Sequence, residues 1–250
     1  MTGTRLTGRV ALVTGGGQGV GRGIALALAK EGGSVLLAGR TLSKCQTVTD
    51  EIAAFGGVAR AVRCDVGERE DVESAVNAAV EAFGGLDALV NNAQSSTQRL
   101  LIETTDADVE LAYRSGPLAV LYGMQAAYPH LVARGGGSIV NFGSSTAIEG
   151  NATFGSYAMA KEAIRGLSRV AAREWGRDGI RVNVVVPSAL SPAAEAFREA
   201  RPEVYQKQMD RIPLRRMGDA EADIGRAVVA LISDDLSYMT GQTMMLTGGA

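Results

Sequence analysis

Seven short apolar runs alternate with longer segments of helical period along the chain: Val10–Thr14, Ser34–Ala38, Val58–Val62, Leu86–Val90, Ser138–Phe142, Arg181–Val186 and Thr243–Leu246. Runs made almost wholly of Val, Leu, Ile and Ala offer no polar side to water, so they predict strands buried on both faces. A strand, a helix and a second strand in that order close right-handedly onto one parallel sheet. The pattern predicts an α/β fold with a parallel seven-stranded sheet and helices on both faces. A chain of 250 residues can enclose one large core of this kind, and no Pro/Ser-rich linker divides it, so residues 1–250 are read as a single domain. Pro117 and Pro129 fall in the fourth helical region, whereas Pro192, Pro202 and Pro213 fall between Ser188 and Gly218, where the rhythm breaks. Long connections in compact domains tend to be binding loops, so residues 188–218 are read as a substrate loop or lid.

Charge excludes several partners. The formal net charge is −2 and the signs alternate along the chain, which offers no basic block for nucleic acid. No membrane-length apolar run and no charged-then-apolar leader are visible after MTGTRLTGR, and the two cysteines, Cys45 and Cys64, form no disulfide framework. The expectation is a cytoplasmic protein with reduced thiols acting on a small molecule. The only histidine, His130, is read as a helix-end surface residue, and no cluster suited to a metal accompanies it.

Glycine is the unusual count: 32 residues, about twice the ordinary usage of roughly 7%. Six of them lie between Gly15 and Gly23, directly after the first strand and before a helix-period run. A strand, a glycine turn and a helix N-terminus place backbone N–H groups where a pyrophosphate can approach unobstructed. Gly15, Gly17, Gln18, Gly19, Val20 and Gly21 are therefore candidate dinucleotide contacts in a doubly wound, Rossmann-like domain. Arg40 stands at the end of the second strand, about 20 residues beyond the turn, with no carboxylate beside it. An acidic residue there suits the ribose hydroxyls of NAD; an arginine suits a 2′-phosphate, so the expected cofactor is NADP(H) in preference to NAD(H).

The fifth strand delivers Ser144, and thirteen residues later comes Tyr157, with Lys161 four further on. On a helix, positions four apart share a face. An ammonium about 4 to 6 Å from a phenol contributes roughly 3 to 4 kcal/mol at an effective dielectric of ~20, enough to draw the phenol from near ~10 toward neutrality. Tyr157 then suits proton transfer to a ketone, Ser144 suits holding the substrate oxygen, and Lys161 lowers the phenol pKa while contacting the nicotinamide ribose.

These motifs resemble those of the short-chain dehydrogenase/reductase family in order and spacing. The likeness is carried by Thr14–Gly21 (TGGGQGVG), Asp65, Asn91-Asn92-Ala93, Ser144, Tyr157-Ala158-Met159-Ala160-Lys161, and Asn183 with Pro187, and it spans Arg9 to Gly249. The resemblance implies that Asp65 and Val66 flank the adenine. It also implies that Asn92 and Ala93 support cofactor and sheet, that Pro187 to Ala189 lie beside the nicotinamide, and that the chain forms a homotetramer or homodimer through its fourth and fifth helices.

Four positions depart from the family pattern. Gln94 replaces the glycine of NNAG and is a candidate substrate contact, as are Ser188, in place of the PG-turn glycine, and Phe197 in the lid. Thr247 stands where an aspartate precedes two glycines. The position of the family's water-holding asparagine falls on Gly116, between Ser115 and Pro117. The relay is therefore missing or rebuilt, Ser115 is a candidate substitute, and Gly116-Pro117 predicts a helix kink. The expected function is an NADP(H)-dependent oxidoreductase of secondary alcohols and ketones. A catalytically weak nucleotide-binding or sensor protein, and a non-redox eliminase or epimerase, are the alternatives.

Overall fold

The computed structural model describes residues 4–189 and 198–250, so Phe197 lies outside the described residues. Seven strands form one sheet, β1 (Val10–Thr14), β2 (Ser34–Gly39), β3 (Val58–Arg63), β4 (Ala88–Asn91), β5 (Gly137–Phe142), β6 (Ile180–Pro187) and β7 (Thr243–Leu246). Every pairing is parallel, in the spatial order β3-β2-β1-β4-β5-β6-β7. This is the doubly wound order, and it reverses between β1 and β4, where such sheets open a crevice at the carboxyl ends of their strands.

Why the strands are apolar throughout is visible in the two cores. Ala11, Val13, Val35 and Leu37 pack on one face against α1 (Gly19–Lys30), α2 (Leu42–Ala54) and α9 (Arg226–Ile232). Their neighbours Val10, Leu12, Leu36 and Ala38 pack on the other against α3 (Arg69–Phe83), α5 (Ala119–Ala133) and α7 (Gly155–Trp175). With both faces covered, neither parity of side chain meets water.

Two expectations are corrected. The strand at Val58 is an edge strand of alternating exposure, with Val58 half exposed and Arg60 and Arg63 within it, because β2 covers only one of its sides. The fourth helical region is two helices, α4 (Asp106–Tyr113) and α5, joined by a π turn over Arg114–Leu118 that contains Gly116 and Pro117. Pro117 has no N–H to donate, and the wider turn absorbs the missing bond while the helix path continues. Within α5, His130 sits in the last turn and is partly exposed. Two further helices, α6 (Ser145–Glu149) and α8 (Pro202–Met209), complete the described elements used below.

Candidate active site

At the carboxyl ends of β1, β2 and β4 lies a cleft of about 790 Å³. Its floor is the glycine turn. Gly15 has φ +67, and a Cβ there would meet Asn92 Nδ2 at 2.8 Å; a Cβ on Gly21 would meet the Gly15 carbonyl at 2.2 Å. Only glycine lets the chain leave β1 and enter α1 so tightly. Gln18, at the N-cap, makes no side-chain cap, so the first N–H groups of α1 face the cleft without a protein side chain on them. Its amide oxygen instead accepts from Lys44 Nζ at 2.7 Å.

Thr14 locks this corner, a role not legible in the sequence. Its Oγ1 accepts from the backbone N–H groups of Asn92 (3.0 Å) and Ala93 (3.1 Å), while Asn92 Nδ2 donates to the Thr14 carbonyl at 2.9 Å. The ends of β1 and β4 are thus held at the switch point. Val20, Asp65 and Val66 line the cleft as expected, and Asp65 Oδ1 accepts from Gly67 N–H at 3.0 Å, turning the chain after β3. At the far end Arg40 donates to Ser95 Oγ at 3.3 Å beside Lys44, and no carboxylate stands at the end of β2. A glycine cradle, an uncapped helix start and a basic end fit a dinucleotide phosphate chain.

The reacting groups lie outside that cleft's lining. Asn91 Nδ2 donates to Asn141 Oδ1 at 2.9 Å, and Asn141 Nδ2 donates to Ser168 Oγ at 2.9 Å, joining β4, β5 and α7 inside the core. On that frame Lys161 is buried at 4% exposure, and its Nζ donates to the Phe142 carbonyl at 2.9 Å and lies 5.5 Å from the Tyr157 ring centroid. Ser144, at the N-cap of α6 with no cap bond of its own, stands close enough to the Tyr157 phenol to draw its pKa down. The three candidates therefore meet.

Their electrostatics differ from the expectation drawn from spacing. Burial pushes the Tyr157 phenol above its usual value, against the opposing effect of the Ser144 hydroxyl. Burial also brings Lys161 down to about 7. The same dry surroundings disfavour both charged forms, so an ammonium that is itself half-neutral near pH 7 does not draw the phenol down.

Three other expectations change. Ser115 does not replace the relay asparagine: its hydroxyl donates to the Leu111 or Ser95 carbonyl (2.7 and 2.9 Å) and accepts from Ser95 N–H (3.0 Å). Ser188 lines a different cleft of about 530 Å³ beside β7, with its N–H on the Leu246 carbonyl and its carbonyl on Gly218 N–H, both at 2.9 Å. Pro187 and Ala189 end and follow β6 on the same backbone path, and Ala189 bridges to Gly218. Thr247 accepts the change at its position by donating its hydroxyl to the Ala250 carbonyl at 2.7 Å. Gln94, in contrast, reaches the wall between cleft and α7, where its amide fills the side-chain space beside Gly116.

The sequence matches the family profile described as enoyl-(acyl carrier protein) reductase over residues 15–250. It is 43% identical over 250 residues to a 12α-hydroxysteroid dehydrogenase of a Clostridium species, covering 97% of this chain and 96% of that protein. It is 36% identical to a cyclohexanol dehydrogenase of an Acinetobacter species, covering 98% and 95%. Among solved structures, a 7α-hydroxysteroid dehydrogenase complexed with NADH and 7-oxo glycochenodeoxycholic acid superimposes with a TM-score of 0.92 at 33% identity, over 98% of this chain and 95% of that one. Among the described residues, no helix is long and apolar enough to cross a membrane.

Proposed function

The chain belongs to the short-chain dehydrogenase/reductase family, and from that premise we propose that it is an NADP(H)-dependent oxidoreductase interconverting a secondary alcohol and a ketone on an apolar ring. The observation that carries the reading is the meeting of Ser144, Tyr157 and buried Lys161 beside a glycine-floored cleft.

In the reductive direction the Ser144 hydroxyl and the Tyr157 phenol both donate to the ketone oxygen. A nicotinamide cofactor held over the glycine turn from Gly15 to Gly21 would supply the hydride that the carbonyl carbon takes. The phenol O–H bond breaks as its proton passes to the oxygen, leaving the alcohol and a phenolate, and Lys161 returns a proton to the phenolate. Donors already aimed at the oxygen stabilise its developing charge without reorganisation. The raised phenol pKa suits the donor role, since a protonated Tyr157 predominates at neutral pH.

Arg40 and Lys44 support the choice of NADP(H), because two cations at the end of β2 meet a 2′-phosphate where NAD offers a hydroxyl. The apolar substrate is supported by Leu101, 77% exposed, whose Cδ1 reaches within 3.0 Å of the Cβ position of Gly155 at the start of α7. Phe154 adds a ring 6.0 Å from that of Tyr157. Both named relatives act, by their names, on ring alcohols. The Arg216 guanidinium is engaged by Asp223 at 2.9 Å rather than held open for an anionic substrate.

The test is reduction of cyclic ketones, oxo-bile acids included, followed by loss of reduced-cofactor absorbance. NADPH is expected to outperform NADH at least tenfold in kcat/KM, with Arg40→Ser erasing most of that ratio, about 1.4 kcal/mol or more. Tyr157→Phe is expected to abolish turnover while NADPH affinity survives. Turnover by Tyr157→Phe, or NADH performing as well as NADPH, defeats the corresponding part of the proposal.

A further inference from the structure

We infer that Gln94 is the positioning residue of the proton path: its amide, seated in the space that a side chain at 116 would fill, holds a water between Lys161 and the cofactor cleft. The inference rests on the proposed alcohol/ketone chemistry.

Four observations converge. A Cβ built on Gly116 would lie 3.0 Å from Gln94 Nε2 and 3.3 Å from its Cδ, so the absence of a side chain at 116 is what admits the amide. The same point lies 3.5 Å from Ala160 Cβ, and Ala160 directly precedes Lys161 on α7. Both Gln94 Nε2 and Gln94 Oε1 are shut off from solvent without a hydrogen-bond partner among the described residues. Finally, Gln94 is part of the cleft's lining, whereas Lys161 is not. The amide thus stands where the cleft lining meets the π turn that packs against α7, the helix that carries Lys161.

A buried amide with neither end satisfied bears the desolvation penalty of both its donor and its acceptor. An apolar side chain would fill the same space at no such cost, so the amide is expected to have a partner, and a water needs two to four polar neighbours. Lys161 supplies one. Its ammonium carries three donors, and among the described residues only the Phe142 carbonyl accepts from it. After the phenolate takes a proton from Lys161, the amine must regain one from solvent, and Lys161, buried at 4% exposure, does not itself line the open cleft. A water donating to Gln94 Oε1 and lying against Lys161 Nζ completes the transfer: the water gives its proton to the amine and is reprotonated from the cleft side.

The pairing predicts a pattern across four proteins. Gln94→Gly is expected to lower kcat about tenfold or more, with the ketone KM and the NADPH Kd from fluorescence titration within about threefold of wild type. Gly116→Asn alone overfills the site and lowers both kcat and Tm. The double variant, Gln94→Gly with Gly116→Asn, is expected to recover most of the kcat and the Tm, because an asparagine amide then occupies the vacated space. A high-resolution crystal structure of the wild-type NADPH complex is expected to show a water within hydrogen-bond reach of both the Gln94 amide and Lys161 Nζ. Unchanged kcat in Gln94→Gly, additive losses in the double variant, or no such water overturns the inference. If the wild-type protein reduces no ketone with either cofactor, the proposed function fails on its own, while the crystallographic water and the Tm cycle still decide the role of Gln94.

Discussion

Lys161 couples folding to pH in a direction set by its burial. Its folded pKa is brought down by burial to about 7 from the ordinary lysine value of 10.5. Between those values the unfolded chain holds a proton that the folded chain has released, so stability rises with pH across that window. Below it both states carry the charge, and the folded state bears the full cost of burying it. Lys161→Met is therefore expected to raise Tm most near pH 6, with the gain over wild type shrinking toward pH 10 in parallel thermal melts. A gain that is flat or grows with pH contradicts the burial argument. The identities of Ser144, Tyr157 and Lys161 were legible from spacing, since i,i+4 residues share a helix face whatever surrounds them. Their pKa directions were not, because desolvation depends on what packs around a residue, and nothing between positions 144 and 161 reports that. Gln94 was recognised only as a departure; its destination depends on a helix more than twenty residues away.

At the scale of elements, the tightest join is between α1 and the π turn over Ala220–Gly225 that leads into α9. A Cβ on Gly23 would lie 2.3 Å from the Ala220 carbonyl carbon and 2.6 Å from Glu221 N, both backbone atoms that cannot rotate aside. A Cβ on Gly225 would meet Ala27 Cβ at 2.7 Å in the same seam, and Lys30 pairs with Glu221 at its edge. Gly23→Ala is expected to cost about 1 to 3 kcal/mol through overpacking and to lower Tm by several degrees in calorimetry. Gly176→Ala, at helical φ −57 with open space around its Cβ, is the control that leaves Tm unchanged or slightly higher. Strands β1, β2, β4, β5 and β6 were readable because doubly buried strands are continuously apolar. The exposed alternation of β3 was not, since which strand becomes the edge is a matter of sheet order. The Gly116-Pro117 kink was foreseen as an interruption and is realised as a π turn, a choice made by packing against α7 and not by the dipeptide alone.

Across the whole molecule, a parallel sheet covered on both faces follows from the alternation of strands and helices with right-handed crossovers, whereas self-association does not. Apolar residues remain exposed on the helices assigned to assembly: Leu118 and Val132 on and beside α5, Met159 and Val170 on α7. A surface of this kind supports a dimer or tetramer. Sedimentation velocity at micromolar concentration is expected to give two or four chain masses, reduced by Val170→Glu; a concentration-independent monomer would refute that assembly. The seat shared by Gln94 and Gly116 has a different kind of consequence, one of ancestry. A lineage passing from an asparagine at 116 and a glycine at 94 to the present arrangement by single changes must cross a sequence in which the seat is either crowded or vacant. On the role inferred for Gln94 the two positions are epistatic, and a survey of relatives that scores position 116 alone would miss its pairing with position 94.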